Sequence, residues 1–311
     1  MKAVTIDTSG TSARLALTEA DAPQAGPRHA VVEVELFALN PGELRGLDSM
    51  SHGDRIGWDF VGTVSDAATD GSGPQPGTRV LGSLQNGAWA ERVAADITSL
   101  APVPDDVSSA AAACLPIPAM AAYAALRPGG ALVGKRVLVT GAAGAVGGYA
   151  CQLALRSGAD VSALVRRDEQ VKLVQGRGVG DVVVGENGDA LGERMFDVIA
   201  DPVAGKLTRS LVPHLSPGGS YMAVSPAGGP VMEIGFMDLF QSGGHVGAVN
   251  VFEDAARSGE TKSDVLSRLL ELVSGGELSV PVGDTHPVGE LNPVVKAYLD
   301  ADDRRKPVIH F

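Results

Sequence analysis

Over the first hundred residues, apolar positions come in short runs broken by glycine, proline and small polar residues. The segment Ala30-Val31-Val32-Glu33-Val34-Glu35-Leu36-Phe37 nearly alternates, the period of a strand with one buried face. Met1 to Asp7, Phe60-Val61-Gly62-Thr63-Val64 and Arg79-Val80-Leu81-Gly82 read as further strands, and the Gly-, Pro- and Ser-rich stretch from Thr69 to Gly77 as a loop. The pattern predicts a compact β-barrel or sandwich-like unit.

Near Pro116 the pattern changes. An Ala-rich helix is expected from Pro118 to Leu126, followed by Lys135-Arg136-Val137-Leu138-Val139-Thr140, an apolar run typical of a strand buried on both faces. A helix follows from Val146 to about Arg156. Strands at Asp160–Val165, Asp181–Val184, Phe196–Ala200, Ser220–Val224 and His245–Asn250 then alternate with helical segments, which predicts a parallel, doubly wound sheet. Beyond Asn250, Val265, Leu266, Leu269, Leu270 and Val273 share one face of a helix over Lys262 to Ser274, and another helix is expected around Pro293 to Asp300. The closing strand, Pro307 to Phe311, needs a partner, and the N-terminal strands offer one. The parallel sheet is therefore expected as an insertion: residues 1–116 and 252–311 form one domain and residues 117–251 the other.

Composition narrows the function classes. The 311 residues are 44% hydrophobic and 20% charged, ordinary for a globular protein with a substantial core. A net charge of −12 argues against a nucleic-acid partner and against docking on an anionic membrane. The N-terminal residues lack the basic start and apolar core of a signal peptide, and no stretch has the roughly 18 apolar residues of a membrane span, so a cytoplasmic location is expected. Cys114 and Cys151 are isolated and read as buried free thiols, with no paired-cysteine motif for a disulfide or structural zinc.

The strongest chemical signal is Gly141-Ala142-Ala143-Gly144-Ala145-Val146-Gly147, which follows a strand and opens a helix. Glycines at its first, fourth and seventh places allow a tight turn, close approach of a pyrophosphate and close helix–strand packing, while the helix N-terminus offers N–H donors to the anion. Gly141, Ala142, Gly144, Ala145, Val146 and Gly147 are the expected dinucleotide contacts. At the end of the next strand, where an NAD site carries an acidic residue for the ribose 2′-OH, this chain has Arg166 and Arg167. Guanidinium groups suit a 2′-phosphate, so the expected cofactor is NADPH; Asp168, just beyond, is the counter-reading.

With these residues in place, the chain resembles the zinc-independent quinone oxidoreductases and enoyl reductases of the medium-chain dehydrogenase/reductase superfamily. The markers are Asn40-Pro41, Gly57-Trp58-Asp59-Phe60-Val61-Gly62, Gly77-Thr78-Arg79-Val80, Gly87-Ala88-Trp89-Ala90-Glu91, Ala111 to Pro116, the glycine turn, and Phe196-Asp197-Val198-Ile199-Ala200-Asp201. The resemblance implies an α/β fold in which a GroES-like β-barrel domain is interrupted by a Rossmann doubly wound parallel-sheet domain. It further implies that Asn40 lines the active site at the nicotinamide end. Gly219, Ser225 and Pro226 are assigned to the cofactor crevice after the fifth strand, and Asn250 to the end of the sixth. Zinc-dependent relatives carry Cys near position 40 and Gly-His-Glu where this chain has Gly57-Trp58-Asp59, so no metal site is expected.

The departures from the family pattern bear on the chemistry. Many members have a tyrosine shortly after Asn-Pro as proton donor, and Leu39 to Asp59 contains none. Ala121 stands where a Thr is common, Gln170 where a Lys is common, and Glu43 replaces the usual Asp. Solvent, the quinone itself, or Ser51 and His52 are the remaining proton sources, and His52 has the right pKa range to be the catalytic one. The expected function is hydride transfer from NADPH to a small-molecule quinone or α,β-unsaturated carbonyl, by a homodimer paired through the sheet edge near Phe236 to Asn250. The alternatives are a biosynthetic tailoring reductase or cyclase on the same scaffold, or a non-catalytic NADPH-binding sensor.

Overall fold

The computed structural model describes residues 1–10, 14–301 and 305–311. The chain divides into two compact units, Met1–Ile117 with Ala255–Phe311, and Pro118–Asp254. In chain order the first seven strands are β1 (Lys2–Asp7), β2 (Arg14–Glu19), β3 (His29–Ala38), β4 (Asp59–Asp66), β5 (Arg79–Ser83), β6 (Arg92–Asp96) and β7 (Leu100–Pro102). The inserted unit supplies β8 (Arg136–Thr140), β9 (Asp160–Val165), β10 (Asp181–Val184), β11 (Phe196–Asp201), β12 (Leu215–Ala223) and β13 (His245–Ala248). The chain closes with β14 (Val282–Pro287) and β15 (Lys306–His310).

The strand-rich unit is organised on β3, the long alternating segment. One edge of β3 pairs antiparallel with β4; the other takes β6 along His29–Glu33 and β15 along Leu36–Ala38. The closing strand therefore finds its partner in the N-terminal region, as its sequence position required. The seven-stranded sheet runs β14-β15-β3-β4-β5-β7 with β6 on β3, and β1 and β2 form a separate antiparallel pair. Its core stacks Phe37 on Trp89 at 4.9 Å between ring centroids. Gly57, at φ 113°, lets the backbone press against that tryptophan: a Cβ there would fall 2.2 Å from the indole. This close approach leads the chain directly into Asp59 in the core.

In the inserted unit all six strands are parallel, in the order β10-β9-β8-β11-β12-β13. That is the doubly wound order, with its switch point between β8 and β11. Val137, Leu138 and Val139 are completely buried, as a strand flanked on both faces demands. The helix before it runs Pro116–Leu126 and so starts earlier than its sequence suggests. Both of its prolines lie in the first turn, where a missing N–H costs nothing.

The Lys262–Ser274 helix buries Val265, Leu266, Leu269 and Leu270, and Thr261 and Asp264 cap each other's backbone N–H groups at its start. Strands β2, β6, β7 and β14 have no counterpart in the sequence reading; they are short or lie mostly at the surface, which leaves little alternation to detect. No helix among the described residues is long and apolar enough to cross a membrane.

Candidate active site

The carboxyl edge of the parallel sheet gathers most of the expected cofactor residues. Strand β8 ends at Thr140 and turns through Gly141, at φ 52°, into the Ala145–Arg156 helix, whose N-cap is Gly144. A Cβ on Gly147 would lie 2.4 Å from the Gly141 carbonyl oxygen, so only glycine lets this helix pack so tightly on its own turn. The first-turn amides of Ala145, Val146 and Gly147 have no preceding helical carbonyl, and a glycine cap offers no side chain to satisfy them. Beside them, β9 pairs Leu164 with Thr140 and continues into exposed Arg166 and Arg167, with the Arg166 N–H held by Gln170 Oε1 at 3.1 Å.

Other candidates divide between the two ends of the sheet. Ser225 lies just past β12 on the same edge, its hydroxyl donating to the Pro202 carbonyl at 2.7 Å, and exposed Pro226 follows it. Asn250 lies past β13 and is exposed; its Oδ1 accepts from Phe252 N–H at 3.3 Å, an Asx turn that ends the strand two residues sooner than expected. Gly219 is corrected. It lies inside β12 immediately before Ser220, which pairs with Val198 near the start of β11, so it sits at the amino end of the strands, away from the glycine turn.

The edge is braced from beneath by a buried carboxylate that sequence reasoning marked only as part of a motif. Asp201, at the end of β11, accepts from the Thr140 hydroxyl, from Val203 and Ala204 N–H at 2.8 and 2.9 Å, and from the Tyr221 hydroxyl at 2.5 Å. It thereby ties β8, β11 and β12 together at the switch point. Burial and the Asp201 charge push the Tyr221 phenol well above its ordinary range, so it stays a donor. Ala204 takes a positive φ of 50°, rare for a residue with a Cβ, and its N–H is one of those Asp201 holds.

In the strand-rich unit, Asn40 is found in a second polar cluster that is sealed. It caps the Pro41–Arg45 helix and is 5% exposed. Its Nδ2 donates to Asp59 Oδ2 at 2.8 Å and Glu43 Oε1 at 3.2 Å, and its Oδ1 accepts from Lys306 Nζ at 2.9 Å. Lys306 also pairs with Asp59 Oδ2 at 2.8 Å, both side chains being essentially inaccessible. Glu43 is 4% exposed; burial, then the neighbouring Asp59 carboxylate, raises its pKa well above the ordinary range, and its Oε2 has no hydrogen-bond partner. Both amide hydrogens of Asn40 are thus committed.

His52 is not brought to this cluster. It is exposed on a loop, with Nδ1 accepting from Thr8 N–H at 3.3 Å and lying 3.6 Å from Asp7 Oδ1. Lys306 was not foreseen, because nothing local marks it: it opens the final strand 247 positions after Asp59. Cys114 and Cys151 are buried free thiols, each pushed up to about 12 by burial.

Residues 169–305 match the family model described as zinc-binding dehydrogenase. The chain is 31% identical over 233 residues to erythronolide synthase EryA2 of Saccharopolyspora erythraea, covering 72% of this chain but 6% of that protein. Against the other polyketide synthases NorB and ZEA2 it spans 10% and 12% of their length. It is 27% identical over 241 residues to the quinone oxidoreductase of Pongo abelii, covering 75% of this chain and 72% of that one. A mycobacterial quinone oxidoreductase structure superimposes with a TM-score of 0.87 at 22% identity, covering 100% of both chains, and shows the same fold.

The zinc implied by the family's description does not fit the residues present. Trp58 offers no ligand, and Asn40 and Asp59 already hold the Lys306 ammonium, beside which a divalent cation would be repelled. Fold and sequence relatives agree: residues 169–305 form a zinc-binding dehydrogenase domain of the medium-chain dehydrogenase/reductase superfamily, and the chain has quinone oxidoreductases and enoyl reductases among its homologues and structural neighbours.

Proposed function

We propose that this protein is an NADPH-dependent reductase that delivers hydride to a conjugated carbonyl, a quinone or an α,β-unsaturated compound, without a metal. The observation that carries the reading is the glycine turn with its unfilled first-turn amides, flanked on the next strand by Arg166 and Arg167. The amides and the Gly147 packing suit a pyrophosphate, and the two guanidinium groups suit a 2′-phosphate. When bound, the nicotinamide supplies the hydride; the protein binds and orients it. Ser225 and Asn250 belong to the same edge, and Gly219 is dropped from the set. For Asn40 the committed amide narrows the role to positioning, since it has no hydrogen left to donate. Anaerobic titration of NADPH with a panel of quinones and enones tests the reading, and absence of NADPH oxidation across the panel overturns it.

A second reading, a tailoring reductase acting on a polyketide-like product, is favoured by the polyketide synthases among the relatives and by the absence of tyrosine between Leu39 and Asp59. Turnover of thioester-linked enoyl substrates but not of free quinones would select it. We also place the protein in the cytoplasm, with its two thiols reduced, and propose that it pairs as a homodimer. Strand β13 is the edge of its sheet, and the segment leading into it exposes Met232, Ile234, Phe236, Met237 and Phe240.

A further inference from the structure

Arg177 follows the Glu169–Gln175 helix in sequence and is half-buried beneath the glycine turn. Its Nη1 donates to the Ala142 carbonyl and, at 3.2 Å, to that of Gly144; its Nη2 donates to the Ala143 carbonyl at 3.3 Å. One guanidinium therefore engages three successive carbonyls of the turn. No peptide here is cis, and in a trans peptide the C=O and the following N–H point in opposite directions. Holding these carbonyls turns the N–H groups of Ala143, Gly144 and Ala145 away from Arg177. Gly144 N–H is taken by the Gly141 carbonyl at 2.9 Å, which leaves those of Ala143 and Ala145 directed outward with the uncapped first turn of the helix.

An independent feature shows that the chain makes room for this arginine. Gly148 is fully helical and needs no unusual backbone angle, yet a Cβ there would lie 2.3 Å from Arg177 Nη1 and 2.5 Å from its central carbon. A helix interior ordinarily favours alanine over glycine, so the missing methyl is explained by the guanidinium that fills its place.

We propose that Arg177 is a positioning residue for the dinucleotide pyrophosphate: it fixes the outward direction of the turn's amides and sets a permanent positive charge behind them, with Gly148 as the space that admits it. The inference rests on the cofactor reading above. It concerns the part common to NADPH and NADH, whereas Arg166 and Arg167 face the difference between them.

The test is equilibrium binding of NADPH and of NADH to the full chain, with thermal melting recorded for each variant. Arg177→Ala weakens both nucleotides by a similar factor, about tenfold from loss of a charge and its hydrogen bonds, and leaves their affinity ratio unchanged. Arg177→Lys recovers part of the loss. Gly148→Ala, which displaces the guanidinium, reproduces the loss in the wild-type background and adds nothing in Arg177→Ala. Folded Arg177→Ala and Gly148→Ala proteins that bind both nucleotides as the wild type does, with only their melting temperatures lowered, overturn the inference and leave the cofactor reading intact. A wild-type chain that binds neither nucleotide overturns the cofactor reading and this inference with it.

Discussion

Two polar clusters of this protein carry equally marked sequence motifs and end in opposite states. At the carboxyl edge of the parallel sheet, the glycine turn has its carbonyls engaged by Arg177 and its strands braced by Asp201, while the first-turn amides have no helical carbonyl to bond and Arg166 and Arg167 are exposed. In the strand-rich unit, Asn40, Glu43, Asp59 and Lys306 hydrogen-bond to one another inside the core, with Asp59 Oδ1 accepting from Ile117 N–H and Glu43 Oε2 without a partner. The difference teaches that a motif names a place, and burial decides whether the place serves a ligand or the fold. A buried polar group must find a partner within the protein, and once it has, little is left to offer a substrate.

The largest test of this contrast is to break the sealed cluster. Lys306→Met leaves the Asp59 carboxylate buried without its ammonium partner, and the expected loss is about 3–5 kcal/mol of stability, read from the denaturant midpoint of the variant against the wild type. A loss below about 1 kcal/mol would show that water reaches the cluster and that it is not sealed. At the open edge the corresponding change moves affinity. Replacing Arg166 and Arg167 together by alanine raises the Kd for NADPH about ten- to a hundredfold and leaves that for NADH unchanged, because only NADPH presents a phosphate to them. Equal weakening of both nucleotides in a titration would remove the arginines from cofactor selection.

The open edge was the more legible of the two. The alternation of buried strands with helices, the glycine spacing and the arginines after β9 are all local patterns, and each appears where the sequence placed it. What escaped depends on contacts distant in sequence. Arg177 reaches back 35 positions to Ala142, and Lys306 reaches 266 positions to Asn40. No periodicity encodes such pairings. Gly219 precedes even the strand expected at Ser220–Val224, and β12, which runs through Pro217 and Gly218 from Leu215, places it well inside the strand. The departure at Glu43, noted in the sequence only as an exchange for aspartate, acquires a meaning once its burial is seen.

That burial gives a pH test of the sealed state. Because the folded pKa of Glu43 is raised, the native protein keeps a proton that the unfolded chain releases above its ordinary value of 4.5. Stability from this group is fully present below that pH and falls as the pH rises toward the folded pKa, by at most about 1.4 kcal/mol per pH unit. Glu43→Gln keeps the shape, accepts the Asn40 N–H in the same way, and cannot release a proton. Its melting temperature gains on that of the wild type as pH increases from 4.5. Two curves that stay parallel over that window would mean that Glu43 is ionised in the fold and that its cluster is not the dry enclosure described.

The smallest expected effect is at His52, the group that sequence pattern nominated as proton donor. Its Nδ1 is occupied by Thr8 N–H and lies near Asp7, a carboxylate held well below its usual range first by Ser9 and then by Arg14. The neighbouring Ser51 N–H bonds to Asp54, so the loop closes on itself at the surface. No contact links His52 to the Asn40 cluster among those the structure describes, and a general acid must come within hydrogen-bond reach of the atom it protonates. His52→Ala therefore changes stability by no more than about 0.5 kcal/mol, the usual range for an exposed position, and leaves the NADPH-dependent rate and its pH profile as they were. A rate that falls more than tenfold, with loss of an ionisation near neutral pH, would return His52 to the chemistry. An unchanged rate leaves solvent to supply the proton, which is what a site without the family's tyrosine would require.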